Sequence, residues 1–235
     1  MSKVIALDAG HGLYTAGKRC LKSLDAKETR EWVLNDRIVD KLQKMLANYD
    51  CKVVRVDDTT GASDVALANR VAKANNEKAD IYISVHHNAG INGGNGGGTV
   101  VYHYNDAPSK ASAQRLYNAI VKETKLVGNR CDKTAVGDFY VINKTKMISL
   151  LVENGFMDSR ADVPIILTDA HATKTAQGII NFLVSELNLA KIEKPAPSNV
   201  LYKVQVGAYS RKANADAMVA KLKKAGFDAI IITTN

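Results

Sequence analysis

The chain has 235 residues, 46% hydrophobic and 24% charged, which suits one ordinary globular domain with a core plus a small appendage and excludes a disordered or fibrous chain. No apolar run approaches the roughly 20 residues needed to span a bilayer. A net charge of +8 favours anionic partners, but the lysines are scattered and there is no aromatic stacking array or motif to make a nucleic-acid surface.

Met1–Asp8 enters a strand directly, with no apolar stretch and cleavage site before it, so no secretory signal is expected. Buried strands are predicted over 3–8, 51–56 and 80–85. Between them lie a helix over 28–48, with Leu34, Ile38, Leu42, Met45 and Leu46 on one face, and a helix over 63–78 capped by Ser63 or Asp64. Residues 90–98 form a glycine-rich loop. It lacks GxxxxGK[ST] and a following helix, so it reads as a flexible loop beside a groove and not as a phosphate cradle. A strand over 99–104 and a helix over 108–125 follow, then strands over 139–142 and 148–153, and a long helix over 168–187.

Strands alternating with helices predict an α/β fold: a twisted, mostly parallel sheet flanked by helices. Residues 189–199, with Pro195 and Pro197, read as a linker after a first domain over 1–188. Residues 200–235 read as a small βαβ segment: strand 201–206, helix 211–225 stopped by Gly226, strand 228–233. The cysteines Cys20, Cys51 and Cys131 are odd in number and widely spaced, so plain thiols are expected, with Cys51 buried.

Sites in such sheets form beyond the carboxyl ends of strands. His11 follows the first strand, His86 the third, and Glu153 ends the strand Ile148–Glu153. Two histidines and a carboxylate can bind Zn²⁺ with a position left open, and a second carboxylate can handle the proton of a water. Glu28 and Glu31 compete for the ligand role. With Leu34 at zero and about 100° per residue, the apolar stripe centres near about 50°, Glu31 falls at about 60° and Glu28 at about 120°. A carboxylate in the middle of an apolar stripe is costly unless paired or metal-bound, which favours Glu31. His87 points to the opposite face of its strand from His86, so it is expected behind the ligand or towards solvent. His103 and His171 are expected to be structural, with His171 able to line a cleft.

Several segments together resemble one family. They are Asp8–Gly12, Glu31 with Asn35, Arg70 with Ala74-Asn75, Ala79-Asp80, Ser84–Ala89 and Leu151–Phe156. Their order over roughly residues 1–188 is similar to the zinc-dependent N-acetylmuramoyl-L-alanine amidases of type 3. The resemblance implies hydrolysis of the amide between N-acetylmuramic acid and the L-alanine of the stem peptide. It further implies zinc held by His11, Glu31 and His86, with Glu153 as the catalytic acid/base. Two departures stand out. His87 occupies a position where many members carry a small residue, and the segment after Gly12 lacks the common Gly-x-x-Pro-Gly run, so the entry loop is expected to be shaped differently. Tyr202–Tyr209 resembles the opening of a SPOR domain, a peptidoglycan-binding module of two βαβ halves, of which the first falls within this chain.

These resemblances imply a peptidoglycan partner, with no nucleic acid and no stable membrane insertion. Synthesis is expected in the cytoplasm without a signal peptide, with action on the bacterial cell wall. A phage endolysin is the favoured expectation. A bacterial autolysin of the same activity, or another zinc-dependent wall peptidase, is the alternative.

Overall fold

The computed structural model describes residues 2–129, 133–193 and 202–233. The linker residues Pro195 and Pro197, the first residue of the predicted strand, Leu201, and Cys131 lie outside the described residues. Two compact units are present, residues 1–192 and 193–235.

In the first unit the chain runs β1 (Lys3–Ala9), α1 (Glu31–Leu46), β2 (Cys51–Arg55), α2 (Leu67–Asn76), β3 (Ile81–Asn88), β4 (Thr99–His103), α3 (Ala107–Thr124), β5 (Thr134–Val136), α4 (Tyr140–Asn143), β6 (Ile148–Phe156), α5 (Val163–Ile166) and α6 (Asp169–Leu187). Six strands form one sheet in the order β2-β1-β3-β6-β4-β5. All neighbours are parallel except β4 against β6. Three parallel strands, β1, β3 and β6, therefore sit side by side in the middle and end at one edge. His11 lies in the turn after β1, but His86 and Glu153 lie within β3 and β6, which run on past the expected ends at 85 and 153 to Asn88 and Phe156; all three reach the same edge.

The two faces of the sheet are covered differently. Ile5, Leu7, Ile83, Val85, Leu150 and Val152 pack with Ile38 and Leu42 of α1, Leu116 and Ile120 of α3, and Ile179 and Leu183 of α6. Ala6, Tyr82 and Leu151 point the other way, onto Val71 and Ala74 of α2 and Val141 and Ile142 of α4. Strand residues alternate between faces, so a residue's parity along its strand decides which layer it meets. Among the described residues no helix is long and apolar enough to cross a membrane.

Several expectations are corrected. Residues 139–142 form no strand: α4 covers Tyr140–Asn143, and Thr134–Val136 makes the edge strand instead. A short apolar run carries no period that separates strand from helix, and here Val141 and Ile142 pack as a helical pair on the sheet. Helix α2 begins at Leu67 with Ala66 as N-cap, because Ser63 and Asp64 are engaged elsewhere. The glycine loop is tied down, not free. One carboxylate oxygen of Asp158 accepts the backbone N–H groups of Gly90, Ile91 and Asn92 at 2.7–2.8 Å, and Asp162 accepts that of Gly98 at 2.7 Å. Cys51 is half-buried and Cys20 buried, both as free thiols.

Chain contacts of the first unit continue past Leu189: the Ala190 carbonyl accepts from the Asp50 N–H, and the Ile192 N–H donates to the Asn48 carbonyl, each at 2.8 Å. In the second unit α7 (Lys212–Lys224) forms, but the described residues 202–233 contain no strand where two were expected. Val204, Val206, Ile230 and Ile232 are exposed there, and α7 buries no residue. A strand needs a partner ladder and a face to bury, and β propensity alone supplies neither.

Candidate active site

The register of the central strands assembles the site. Asp8 lies opposite Ser84 across β1–β3, and His86 lies opposite Glu153 across β3–β6. Side chains opposite one another in a parallel pair project from the same face, so His86 and Glu153 stand together on the face covered by α2 and α4. Gly10, one residue past β1, lies beneath the imidazole of His86, where a Cβ would overlap the ring. Next in the chain, His11 turns back with φ of 67°, a left-handed conformation uncommon outside glycine. Glu31 is the first residue of α1, and its backbone N–H, one that the helix leaves without a partner, donates to the Lys18 carbonyl at 3.0 Å.

His11, Glu31 and His86 converge, with one ligand atom from each lying within 4.8 Å of the others. His86 Nδ1 is 3.0 Å from Glu31 Oε1, and His11 Nε2 is 3.3 Å from Glu31 Oε2. The rings of His11 and His86 meet edge to face at 4.9 Å between centroids. Glu31 is 1% exposed. Burial raises its pKa, but the two histidines outweigh burial and hold the carboxyl well below the usual range. Its Oε2 is buried and has no hydrogen-bond partner of good geometry. Glu28 is elsewhere: it lies before the helix in the left-handed region and pairs with Arg19 at 3.2 Å. Two imidazoles and an ionised, under-satisfied carboxylate form a donor set that could hold a metal ion.

Glu153 lies next to this cluster and makes no ion pair with a surface lysine among the described residues. Burial pushes its carboxyl up to about 7, with His86 pulling the other way. Its Oε2 is buried without a partner. A carboxyl poised near neutrality can both accept and deliver a proton.

A second tier holds these residues. Arg70, 1% exposed, has its guanidinium fully engaged. It pairs with Asp8 in a short buried ion pair and with Asp64 at 3.0 Å. It also donates to the carbonyls of Ala9 and His11 at 2.9 Å each and of Val65 at 2.8 Å. Asp8 in turn accepts from the hydroxyls of Tyr82 and Ser84, both at 2.8 Å. Arg70 thus clamps the backbone on both sides of Gly10, which is what keeps His11 in its unusual conformation.

Asn35, fully buried one turn along α1, donates to the Gly10 carbonyl at 3.2 Å and accepts from His87 Nδ1 at 2.8 Å. The His87 backbone N–H donates to Glu31 Oε1 at 3.2 Å. His87 is buried on the α1–α6 face, not exposed to solvent, and burial beside His171 pushes it down to about 3, so it is neutral. His171 lies behind the sheet, its Nε2 against the Asn154 carbonyl at 3.2 Å, and it does not line the groove. His103 is also a buried structural residue, its Nδ1 2.6 Å from the Tyr104 carbonyl.

Above the cluster opens a groove of about 760 Å³. Its floor holds His11, Glu31, His86 and Glu153; Lys18 stands on one side, and the partly exposed Leu67, Phe139 and Tyr140 form apolar walls. The glycine loop 90–98 contributes none of the lining. Lys18, Phe139 and Tyr140 carry no periodic signal in the sequence, and only the closeness of Lys18 to the Asp8–Gly12 segment could have pointed to it.

A groove over a metal-competent cluster and a protonatable carboxylate, at the carboxyl edge of a parallel sheet, has the build of a hydrolase. Residues 5–185 match the N-acetylmuramoyl-L-alanine amidase family, and residues 198–235 match the SPOR domain. The chain is 33% identical over 228 residues to the N-acetylmuramoyl-L-alanine amidase CwlM of Bacillus licheniformis, covering 97% of this chain and 84% of that one. It is 34% identical over 196 residues to the endolysin of Bacillus phage SPP1, covering 81% of this chain and 68% of that one. The solved N-acetylmuramoyl-L-alanine amidase from Clostridium difficile 630 superposes with a TM-score of 0.71 at 27% identity, covering 80% of this chain and 97% of that one. The chain belongs to the N-acetylmuramoyl-L-alanine amidase family. It is a peptidoglycan hydrolase of that activity.

Proposed function

We propose that His11, Glu31 and His86 hold one Zn²⁺ and that Glu153 is the general acid/base of amide hydrolysis. The observation that carries this is the register pairing of His86 with Glu153, which sets a buried, protonatable carboxyl beside a convergent His/Glu/His donor set. The donor set fits zinc: nitrogen and oxygen ligands, with the buried Glu31 Oε2 left unsatisfied by the protein. When bound, Zn²⁺ supplies Lewis acidity that lowers the pKa of water and polarises a carbonyl.

Glu153 takes a proton from the attacking water as its oxygen joins the carbonyl carbon and the C=O π pair moves onto oxygen. When that pair returns, the C–N bond breaks. Glu153 then gives its proton to the departing nitrogen, leaving a carboxyl group on the lactyl side and a free L-alanine amino terminus. Digesting purified wall and identifying the new ends tests this reading, together with zinc counted per chain. New L-alanine amino termini with one zinc are expected. Ends generated within the stem peptide would instead indicate a wall peptidase.

We further propose that residues 1–192 are the catalytic unit and that the SPOR-matching segment adds affinity for peptidoglycan. The division of the chain at Ile192 and the backbone bonds of Ala190 and Ile192 support a boundary a few residues beyond 188. A chain ending at Ile192 should cleave soluble muropeptide at the full-length rate while binding intact wall less. Loss of activity on soluble substrate would make the second unit part of the catalytic machinery. Likeness to a phage endolysin supports a lytic role, and likeness to the bacterial amidase CwlM is equally compatible with a bacterial enzyme of the same activity.

A further inference from the structure

Among the described residues, two basic side chains other than histidine line the groove, Lys18 and Arg70. Arg70 is committed to Asp8, Asp64 and three carbonyls. Lys18 is not. Its ammonium makes one long approach, 3.9 Å to Glu31 Oε2, and its side chain is 45% exposed. Its backbone, by contrast, is anchored, because the Lys18 carbonyl takes the Glu31 N–H at 3.0 Å. The side chain therefore starts from a fixed point beside the donor set and lines the groove above it.

At 3.9 Å the approach is longer than a hydrogen bond, so it does not fix the ammonium in place. The charge also reaches Glu153, where it favours the ionised carboxylate against burial. A cation bound by His11, Glu31 and His86 would take up the charge of Glu31 and repel the ammonium. That would free Lys18 to turn into the groove it lines together with His11, Glu31, His86 and Glu153.

We infer that Lys18 holds the negative charge that develops on the scissile carbonyl oxygen. The inference rests on the reading of His11, Glu31, His86 and Glu153 given above. As the water oxygen bonds to the carbonyl carbon, the displaced π pair charges the carbonyl oxygen, and the ammonium donates to it. The interaction exists only in the transition state, so it raises kcat and leaves KM nearly alone.

The test compares full-length wild type, Lys18→Met, Lys18→Arg and Glu153→Gln, all loaded with zinc, on a soluble muropeptide. Two further readouts do not depend on turnover. One is zinc affinity by competition with a chromophoric chelator. The other is calorimetric affinity for a phosphinate analogue of the muramoyl–alanine linkage, anionic and tetrahedral at the reacting centre. Lys18→Met should lower kcat about 100- to 1,000-fold, as removal of an oxyanion donor does, with KM within threefold. It should bind the phosphinate at least tenfold more weakly with zinc affinity unchanged or slightly tighter, and Lys18→Arg should recover part of both losses. Turnover within twofold of wild type overturns the assignment. So does a rise in KM alone, which would mark a ground-state contact with a substrate carboxylate, or a loss of zinc in parallel with rate. Normal turnover in Glu153→Gln beside lost turnover in Lys18→Met would overturn the acid/base reading while keeping the role of Lys18.

Discussion

Replacing Arg70 by Met tests how far the site depends on a residue that touches no ligand atom. Arg70 and Asp8 are both about fully buried and form an ion pair. Arg70→Met leaves the Asp8 carboxylate with only the hydroxyls of Tyr82 and Ser84, and removes the donors to the Ala9, His11 and Val65 carbonyls. Breaking a buried pair from one side costs about 3–5 kcal/mol, because the remaining charge has no compensation. An orphaned buried carbonyl adds about 1–3 kcal/mol where water cannot reach it. That loss is a large share of the roughly 5–15 kcal/mol that stabilises a typical domain. Urea unfolding followed by the single tryptophan, Trp32, reports the catalytic unit alone, since that indole lies in its core cluster. The double variant Asp8→Asn with Arg70→Met should be more stable than Arg70→Met, because no charge is stranded. Zinc affinity should fall in Arg70→Met as the turn at His11 relaxes. A destabilisation below about 1 kcal/mol with zinc affinity intact would refute the clamp, since that is the scale of a surface pair.

Three further outcomes are expected. Glu31→Gln should weaken zinc far more than Glu28→Gln, because Glu31 lies between the two histidines and Glu28 pairs with Arg19; chelator competition decides, and the reverse order would reject the donor set. Glu153→Gln should keep zinc and melting temperature yet lose at least about a hundredfold in turnover, the scale of a positioned acid/base, so near-normal rates would leave it a bystander. Burial lowers the pKa of His171, so the folded state binds fewer protons there than the unfolded chain. Stability should therefore be fully present above about pH 6.5, the ordinary histidine value, and decline as pH falls below it. In zinc-free protein, His171→Phe should flatten that decline between about pH 6.5 and 5; a slope as steep as wild type's would place the acid sensitivity elsewhere.

The local periods of the sequence determined much of this molecule. Alternating apolar runs required an α/β layering, and the wheel of the helix after the first strand set Glu31 inside its apolar face and Glu28 at the margin. His11 was placed past a strand end because the buried apolar stretch stops there, whereas β3 and β6 run on past His86 and Glu153 to Asn88 and Phe156. Other features depended on contacts between residues far apart in the chain. Pairing of His86 with Glu153 is a matter of register between β3 and β6, and nothing in either segment alone states that register. The left-handed turn at His11 is held by an arginine 59 residues away. The short run around Phe139–Ile142 became a helix because the sheet surface offered a groove for one, while the apolar segments of residues 202–233 stayed unpaired for want of a partner ladder. Lys18 lies in a loop without period, and its place in the groove lining goes with a backbone bond from its carbonyl to the first N–H of α1, thirteen residues on. Hydrophobic periodicity is a property of neighbours in sequence and is readable there. Register, clamps and loop placement are settled by the free energy of packing distant segments together, so they exist only in the folded chain.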